Sequence, residues 1–320
     1  MKYVIGIDIG TTAIKATVFD LNGQECGSRK EKYTLITSST GIVELDPESY
    51  LEKFSSVVKS AIKSSGVNIN NIISLRISDQ GEALLCLDQD GNPLRRAIVW
   101  MDTRSVEEAA FIEKKFGRDN IHKITGKVGM DAIWPAPKML WLLRNEPHIY
   151  KKTAKFVLIK DYLIYLLTGR FVCEDALLCS TMWGDINTRE YWTEMLDLLE
   201  VTENHFPEIV RKEEVVGIIK RDAVKRFRLP KKLRVSTGVF GVGNVNLGIF
   251  SESIGSAFKS VTTVDKLMLD PAMESPRCSF SCGGCSRNLE VSRGSRHKPC
   301  KRRKDLSTKP KELRSLRPNV

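Results

Sequence analysis

The chain has 320 residues, of which 42% are hydrophobic, enough for one large core or two modest ones. Its longest apolar runs, such as Tyr162 to Leu167, are far too short to cross a bilayer, and it runs into a strand pattern with no charged-then-apolar leader, so neither a membrane span nor a secretory signal is expected. The net charge of +11 is local: 12 Lys/Arg stand against three acids from Arg287 to Val320, which leaves a near-neutral body and argues against nucleic-acid binding by that body.

In chain order, "KYVIGID" reads as an apolar strand ending on Asp8. "GTT" turns the chain, "AIKATVFD" returns it, and Asn22-Gly23 marks a hairpin into a third strand that ends near Tyr33. "DPESYLEKFSSVVKSAIKSSG" predicts a helix. Asp46 caps it, Pro47 suits its first position, Leu51, Phe54, Val58 and Ala61 share one face, and Gly66 ends it. "IISLRIS" reads as a buried strand with "EALLCLD" as its neighbour, and "RAIVW" as another strand. "SVEEAAFIEKKFG" and "PKMLWLLRNEP" are helical, "KFVLI" is a strand, and "KDYLIYLLTG" is a helix ending on Gly169. Strands and helices alternate to about Gly248, so the class is α/β.

After about Pro271 the pattern stops. The remainder is rich in Ser, Pro, Gly and Arg, cannot bury enough surface to offset its ordering entropy, and is expected to be disordered. Three segments follow: a domain over 1–248, a short patterned piece over 249–274, and a basic tail over 275–320. Cys26, Cys86, Cys173 and Cys179 have no framework spacing and are expected to pack as small hydrophobes in a reducing cytoplasm.

Several stretches could carry chemistry. In "GIDIGTTAIK" an acid ends a strand before a Gly-Thr-Thr turn. Such a turn can offer amides and hydroxyls to a phosphate, while the acid can hold the water shell of a magnesium ion. A plain capped hairpin is the alternative. Glu82 and Asp102 flank apolar strands, and the residues alone favour solvated strand-end acids there. Trp100 and Trp141 could serve a site or a core, and the amphipathic helix around Trp141 favours core packing there. "TGVFGVGNVNLG" (Thr237 to Gly248) looks like a nucleotide glycine loop, yet Asn246 stands where the third glycine belongs and no βαβ unit surrounds it. Cys278, Cys282 and Cys285 have C-x-x-x-C-x-x-C spacing, and with His297 and Cys300 could make an adventitious zinc site. "KRRK" (Lys301 to Lys304) allows nonspecific, salt-sensitive attraction to nucleic acid, without aromatic stacking.

Taken together, "GIDIGTTAIK", "SDQGEALLCLDQDGNPLRRAIVWMDTR" and "WPAPKMLWLLRN", in this order, resemble the FGGY family of sugar kinases over roughly residues 3 to 250. "GEALLCLD…WMDTR" is most similar to xylulose-kinase-like members. The resemblance implies an actin/hexokinase-type, ribonuclease-H-like fold, with a mixed sheet flanked by helices, and ATP-dependent phosphorylation of a sugar or polyol hydroxyl with Mg2+. Asp8, Gly10, Thr11 and Thr12 would face the phosphates and the metal. Gln80, Gly81 and Glu82 would line the sugar, Asp102 would accept its hydroxyls, and Trp100 and Arg104 would shape that wall. Ile133 departs from the small or aromatic residue that more often opens the family's P-x-x-K-x-x-W helix. A cytoplasmic enzyme is implied, with a sugar or polyol as partner and a homodimer left open.

The same resemblance answers the glycine loop. The family places its catalytic aspartate where this chain has Gly241, while Thr237, Gly238 and Gly248 match. The 249–274 piece is similar to the start of the family's second domain, although "SVTT" stands where a Gly-Thr phosphate turn is usual. A weak or inactive kinase is therefore expected. A sugar-binding or partner-binding pseudokinase and a basic-tailed nucleic-acid adaptor are the alternatives.

Overall fold

The computed structural model describes residues 1–211 and 214–237, together with the backbone of three later strands at 250–254, 258–264 and 287–292. The chain begins with a meander of β1 (Tyr3–Ile9), β2 (Ala13–Asp20) and β3 (Glu25–Lys32). The short strands β4 (Ile36–Thr37) and β5 (Val43–Leu45) lead into α1 (Pro47–Ser65). Then come β6 (Ile72–Asp79), β7 (Leu84–Leu87) and β8 (Ala97–Ile98). A helical stretch holds α2 (Val106–Phe116), α3 (Arg118–Thr125), α4 (Pro135–Asn145) and α5 (Pro147–Lys152). β9 (Lys155–Leu158), α6 (Ile159–Thr168), β10 (Val172–Glu174) and α7 (Leu178–Thr181) follow. After them stand β11 (Gly184–Asp185), β12 (Glu190–Tyr191), α8 (Thr193–Leu198) and β13 (Glu208–Val210). β14 (Val215–Ile218), α9 (Arg221–Phe227) and β15 (Arg234–Thr237) complete this part.

Six strands form a mixed sheet in the order β14-β15-β6-β1-β2-β3. β1, β6 and β15 run parallel, with Ile9 opposite Asp79 and Ile77 opposite Thr237. Their carboxyl ends therefore lie along one edge. Period-two alternation in β1 buries Ile5, Ile7 and Ile9 and leaves Asp8 exposed. α1 lies across β2 and β3 and buries Tyr50, Leu51, Phe54, Val57, Val58, Ala61 and Ile62. The capping expected from sequence is present: the Asp46 carboxylate accepts from the Ser49 amide at 2.9 Å, and Gly66 closes the helix at φ 65°.

A second sheet has the order β4-β5-β8-β7-β9. β7 thus joins this sheet, and the expectation that it pairs beside β6 is corrected. The Gln80–Glu82 turn carries the chain out of the first sheet, and β7 pairs with β9 and β8 instead. "RAIVW" contributes only Ala97–Ile98 as strand. β7 is buried on both faces: Leu85 and Leu87 join the core under the six-stranded sheet, while Leu84 and Cys86 join a second core with Phe156, Met139 and Trp183.

Beyond residue 249, β16 (Phe250–Ile254) pairs antiparallel with β17 (Phe258–Val264), which pairs with β18 (Arg287–Ser292). β18 falls inside the stretch expected to lack structure. Its "NLEVS" alternates apolar with polar residues, a pattern too short to stand out from its surroundings.

Candidate functional site

Ligands of open α/β sheets sit outside the carboxyl ends of parallel strands. Here that edge presents the turn after β1, the turn after β6 and the end of β15. The first turn is tightly held. The Gly10 amide donates to the Ala13 carbonyl at 2.9 Å, the Tyr33 amide donates to the Thr12 carbonyl at 3.1 Å, and the Tyr33 hydroxyl donates to the Gly10 carbonyl. Thr11 is buried and Thr12 exposed. Partial desolvation at its strand end lifts the Asp8 carboxyl above the usual range, with Lys15 and Lys30 opposing. An exposed carboxylate beside a turn of hydroxyls and amides is a donor set suited to a hydrated divalent cation next to phosphate oxygens.

The second turn holds Gln80, Gly81 and Glu82. Gly81 has φ 73° and Glu82 has φ 35°, a left-handed backbone uncommon for a side chain of that size. The Gln80 amide is buried beside the Tyr33 hydroxyl. The sequence-predicted phosphate turn and sugar turn are therefore neighbours across β1 and β6.

The wall opposite comes from the segment after β8. Trp100 is half-buried, and its indole Nε1 donates to the Thr11 hydroxyl at 3.1 Å. Asp102 is fully buried. Its Oδ1 accepts from the Arg104 amide at 3.0 Å and from Arg104 Nε at 2.8 Å. Its Oδ2 accepts from the Val43 amide at 2.6 Å and from Arg104 Nη2 at 2.7 Å. A carboxylate has about four acceptor positions, and these donors fill them. Asp102 is thus held by Arg104 and the Val43 amide at the base of this wall.

Arg104 also reaches Glu44 at 2.8 Å and lies 5.0 Å over the Trp141 ring. Burial works against its charge, but Asp102 and Glu44 outweigh burial and hold the guanidinium above its ordinary range. Trp141 packs against the second core as expected. Gly41 makes the close approach possible: at φ 81° its carbonyl accepts from the Thr103 amide at 3.0 Å, and a Cβ there would stand 2.1 Å from Thr103 Oγ1.

Two lysines were given no role by the sequence reading, although Lys138 is the lysine of the P-x-x-K-x-x-W motif. Lys138 of α4 is fully buried, and its Nζ donates to the Ile133 carbonyl at 2.8 Å and the Trp100 carbonyl at 3.4 Å. Burial lowers it to about 7, with Asp102 and Glu82 opposing. Lys160 opens α6 behind the sugar turn, 3.0 Å from Glu174 and 3.5 Å from Asp79. Asp161 beside it is pushed up to about 8 by burial, and its Oδ2 accepts from the Leu158 amide at 3.1 Å. The signal available in the sequence was a charge set in an apolar run, "WPAPKMLWLL" and "FVLIKDYLIYLL".

Thr237 ends β15 fully buried, its hydroxyl donating to the Arg211 carbonyl at 3.3 Å. Gly238, Gly241 and Gly248 lie outside the described residues, as do Cys278, Cys282, Cys285, Cys300, His297 and the basic run 301–304. Among the described residues no helix is long and apolar enough to cross a membrane.

Residues 3–248 match the FGGY family of carbohydrate kinases, N-terminal domain. The xylulose kinase of Bacillus subtilis (strain 168) is 31% identical over 264 residues, covering 80% of this chain and 52% of that protein. The glycerol kinase of Thermococcus kodakarensis is 30% identical over 279 residues, covering 84% of this chain and 55% of that protein. The chain thus spans about half the length of these relatives. Among solved structures, ligand-bound xylulose kinase from Lactobacillus acidophilus superposes with a TM-score of 0.82 at 24% identity, covering 91% of this chain and 60% of that one. Plasmodium falciparum glycerol kinase with ADP gives 0.82 at 22%, covering 92% and 62%. At these identities the likeness carries the fold, and it is the mixed sheet flanked by helices that the motifs implied.

Proposed function

The chain belongs to the FGGY family of carbohydrate kinases, and on that premise we propose that it supplies the sugar wall and phosphate turn of an ATP-dependent kinase acting on a sugar or polyol hydroxyl. The observation that carries this reading is the Trp100–Thr11 hydrogen bond, which sets the wall directly against the turn. A ketopentose is the first substrate to try, because xylulose kinases are prominent among the relatives, with glycerol second.

Magnesium ATP supplies the phosphoryl group when bound, and positioning with charge neutralisation does most of the work in such transfers. Gly10, Thr11 and Thr12 would hold phosphate oxygens, and Asp8 would hold the hydrated cation. Gln80 and Glu82 would take sugar hydroxyls, Trp100 would cover an apolar face of the sugar, and Asp102 with Arg104 would keep that face in place. Cytoplasmic residence follows from the same proposal.

Slow turnover follows from Gly241, which stands where the family's motif places an aspartate base. General-base assistance is worth about 10²–10⁴ in rate. The same glycine favours a second reading, a pseudokinase that binds sugar or a partner without chemistry. An ADP-release assay on the full chain and on Gly241→Asp, with D-xylulose, other pentuloses and glycerol, separates the readings. Parent turnover at about 1–100 s⁻¹, the ordinary range for kinases, would place the base elsewhere. Calorimetry showing no heat with any of these sugars would remove the kinase reading.

A further inference from the structure

Lys138 is buried and conspicuous, yet nothing in the chemistry just described uses it. The charges of Asp102 and Glu82 support its ammonium, Arg104 opposes it, and Asp131 adds a smaller support. Its donors go to two backbone carbonyls, one of them that of Trp100. Trp100 in turn gives its indole proton to Thr11 in the phosphate turn. Two hydrogen bonds, joined by the covalent frame of Trp100, therefore link α4 through this wall to the turn after β1. Burial that lowers the lysine toward neutrality leaves this link intact, because a neutral amine retains N–H donors for both carbonyls.

We infer that Lys138 is a positioning residue: it holds the Trp100 backbone so that the indole fixes Thr11, and occupancy of the sugar wall is transmitted to the phosphate turn through Trp100. This inference rests on the reading that the wall takes a polyol. A rigid wall and turn would reach transfer geometry together, which is where most of the advantage of a bound pair of reactants lies.

The test uses the ¹⁵N-labelled full chain. Its five tryptophans give indole N–H signals, and the one missing from Trp100→Phe belongs to Trp100. In the parent, D-xylulose or glycerol is expected to shift that signal and to slow amide exchange of residues 8–14 by about five- to tenfold, the weight of one hydrogen bond. Lys138→Met, which removes the donors and keeps the bulk, should move the resting Trp100 signal, speed exchange of residues 8–14 by a similar factor, and abolish the polyol-dependent slowing while polyol still binds. Thr11→Val should lose the same slowing, and the double variant should be no worse than either single one. An unmoved Trp100 signal in folded Lys138→Met, or additive losses in the double variant, overturns the inference. Should Lys138→Met not fold, Trp100→Phe decides: retained slowing overturns it and lost slowing supports it. Should no polyol change any signal in the parent, the kinase reading fails, and the positioning role is judged on polyol-free exchange alone. Faster exchange of residues 8–14 in Lys138→Met or Trp100→Phe then supports it, and parent-like exchange overturns it.

Discussion

Lys160 and Glu174 meet at 3.0 Å with less than a tenth of either side chain exposed. Asp79 stands 3.5 Å from the same ammonium, and Asp161 lies next to it in sequence. Three carboxyls and one ammonium are thus packed behind the Gln80–Glu82 turn. Burial opposes the lysine's charge, but the acids outweigh it and hold the ammonium above the usual range.

Removing the cation should be severe. Lys160→Met leaves Asp79 and Glu174 buried without their counter-charge, and breaking a buried pair in this way costs about 3–5 kcal/mol. Urea unfolding followed by circular dichroism measures it. A loss under about 1 kcal/mol, the value of an exposed pair, would show that water reaches the cluster.

The cluster also predicts the sign of a pH effect. Asp161 titrates at about 8 in the fold, against an ordinary value near 4. Between these values the folded chain keeps a proton that the unfolded chain has released. Its contribution is therefore fully present below about pH 4 and is lost as pH rises through 8. Asp161→Asn keeps an acceptor for the Leu158 amide and cannot titrate. The stability of the parent relative to Asp161→Asn should fall steadily from pH 5 to pH 8.5; a flat difference would place the retained proton elsewhere.

Glu82 and Asp102 should separate on substitution. Glu82→Gln is expected to lower polyol affinity about 10-fold or more, the scale of a hydrogen bond to a charged acceptor, with little change in the urea midpoint. Asp102→Asn disturbs the Arg104 and Val43 bonds, so stability and affinity should fall together, stability by about 2–4 kcal/mol. Calorimetry and urea unfolding on both variants decide the matter. Affinity lost without stability in Asp102→Asn would make Asp102 a direct ligand.

The first core has its own test. Phe54 is fully buried and meets Phe227 edge-on at 5.2 Å. Phe54→Ala should cost about 3–5 kcal/mol through the cavity it leaves, and Asp46→Ala about 1 kcal/mol through the lost cap. Similar midpoint shifts for the two would mean that α1 is held by its ends more than by its face.

Local features were legible in the sequence because local physics fixes them. The β1–β2–β3 meander, both caps of α1 and the alternation of strands and helices follow from turn residues and hydrophobic period. The Gly10–Thr12 turn and the Gln80–Glu82 turn were singled out from motifs, and strand register brings them together. Three features were not legible. β7 joins the second sheet, and an apolar run does not name its partner. Asp102 is held by Arg104 and the Val43 amide, and no sequence pattern names those partners. Lys138 and Lys160 were given no role because a lysine within an apolar run does not name its partners, which are carbonyls for the first and carboxylates for the second.

β7 divides two cores and belongs to both. Leu85 and Leu87 on one face and Leu84 and Cys86 on the other are all at most 1% exposed. Melting either core uncovers a face of this strand, so neither can open alone without exposing the shared wall. The two layers should therefore unfold together, and the amides of Leu84–Leu87 are expected to exchange among the slowest of the described residues.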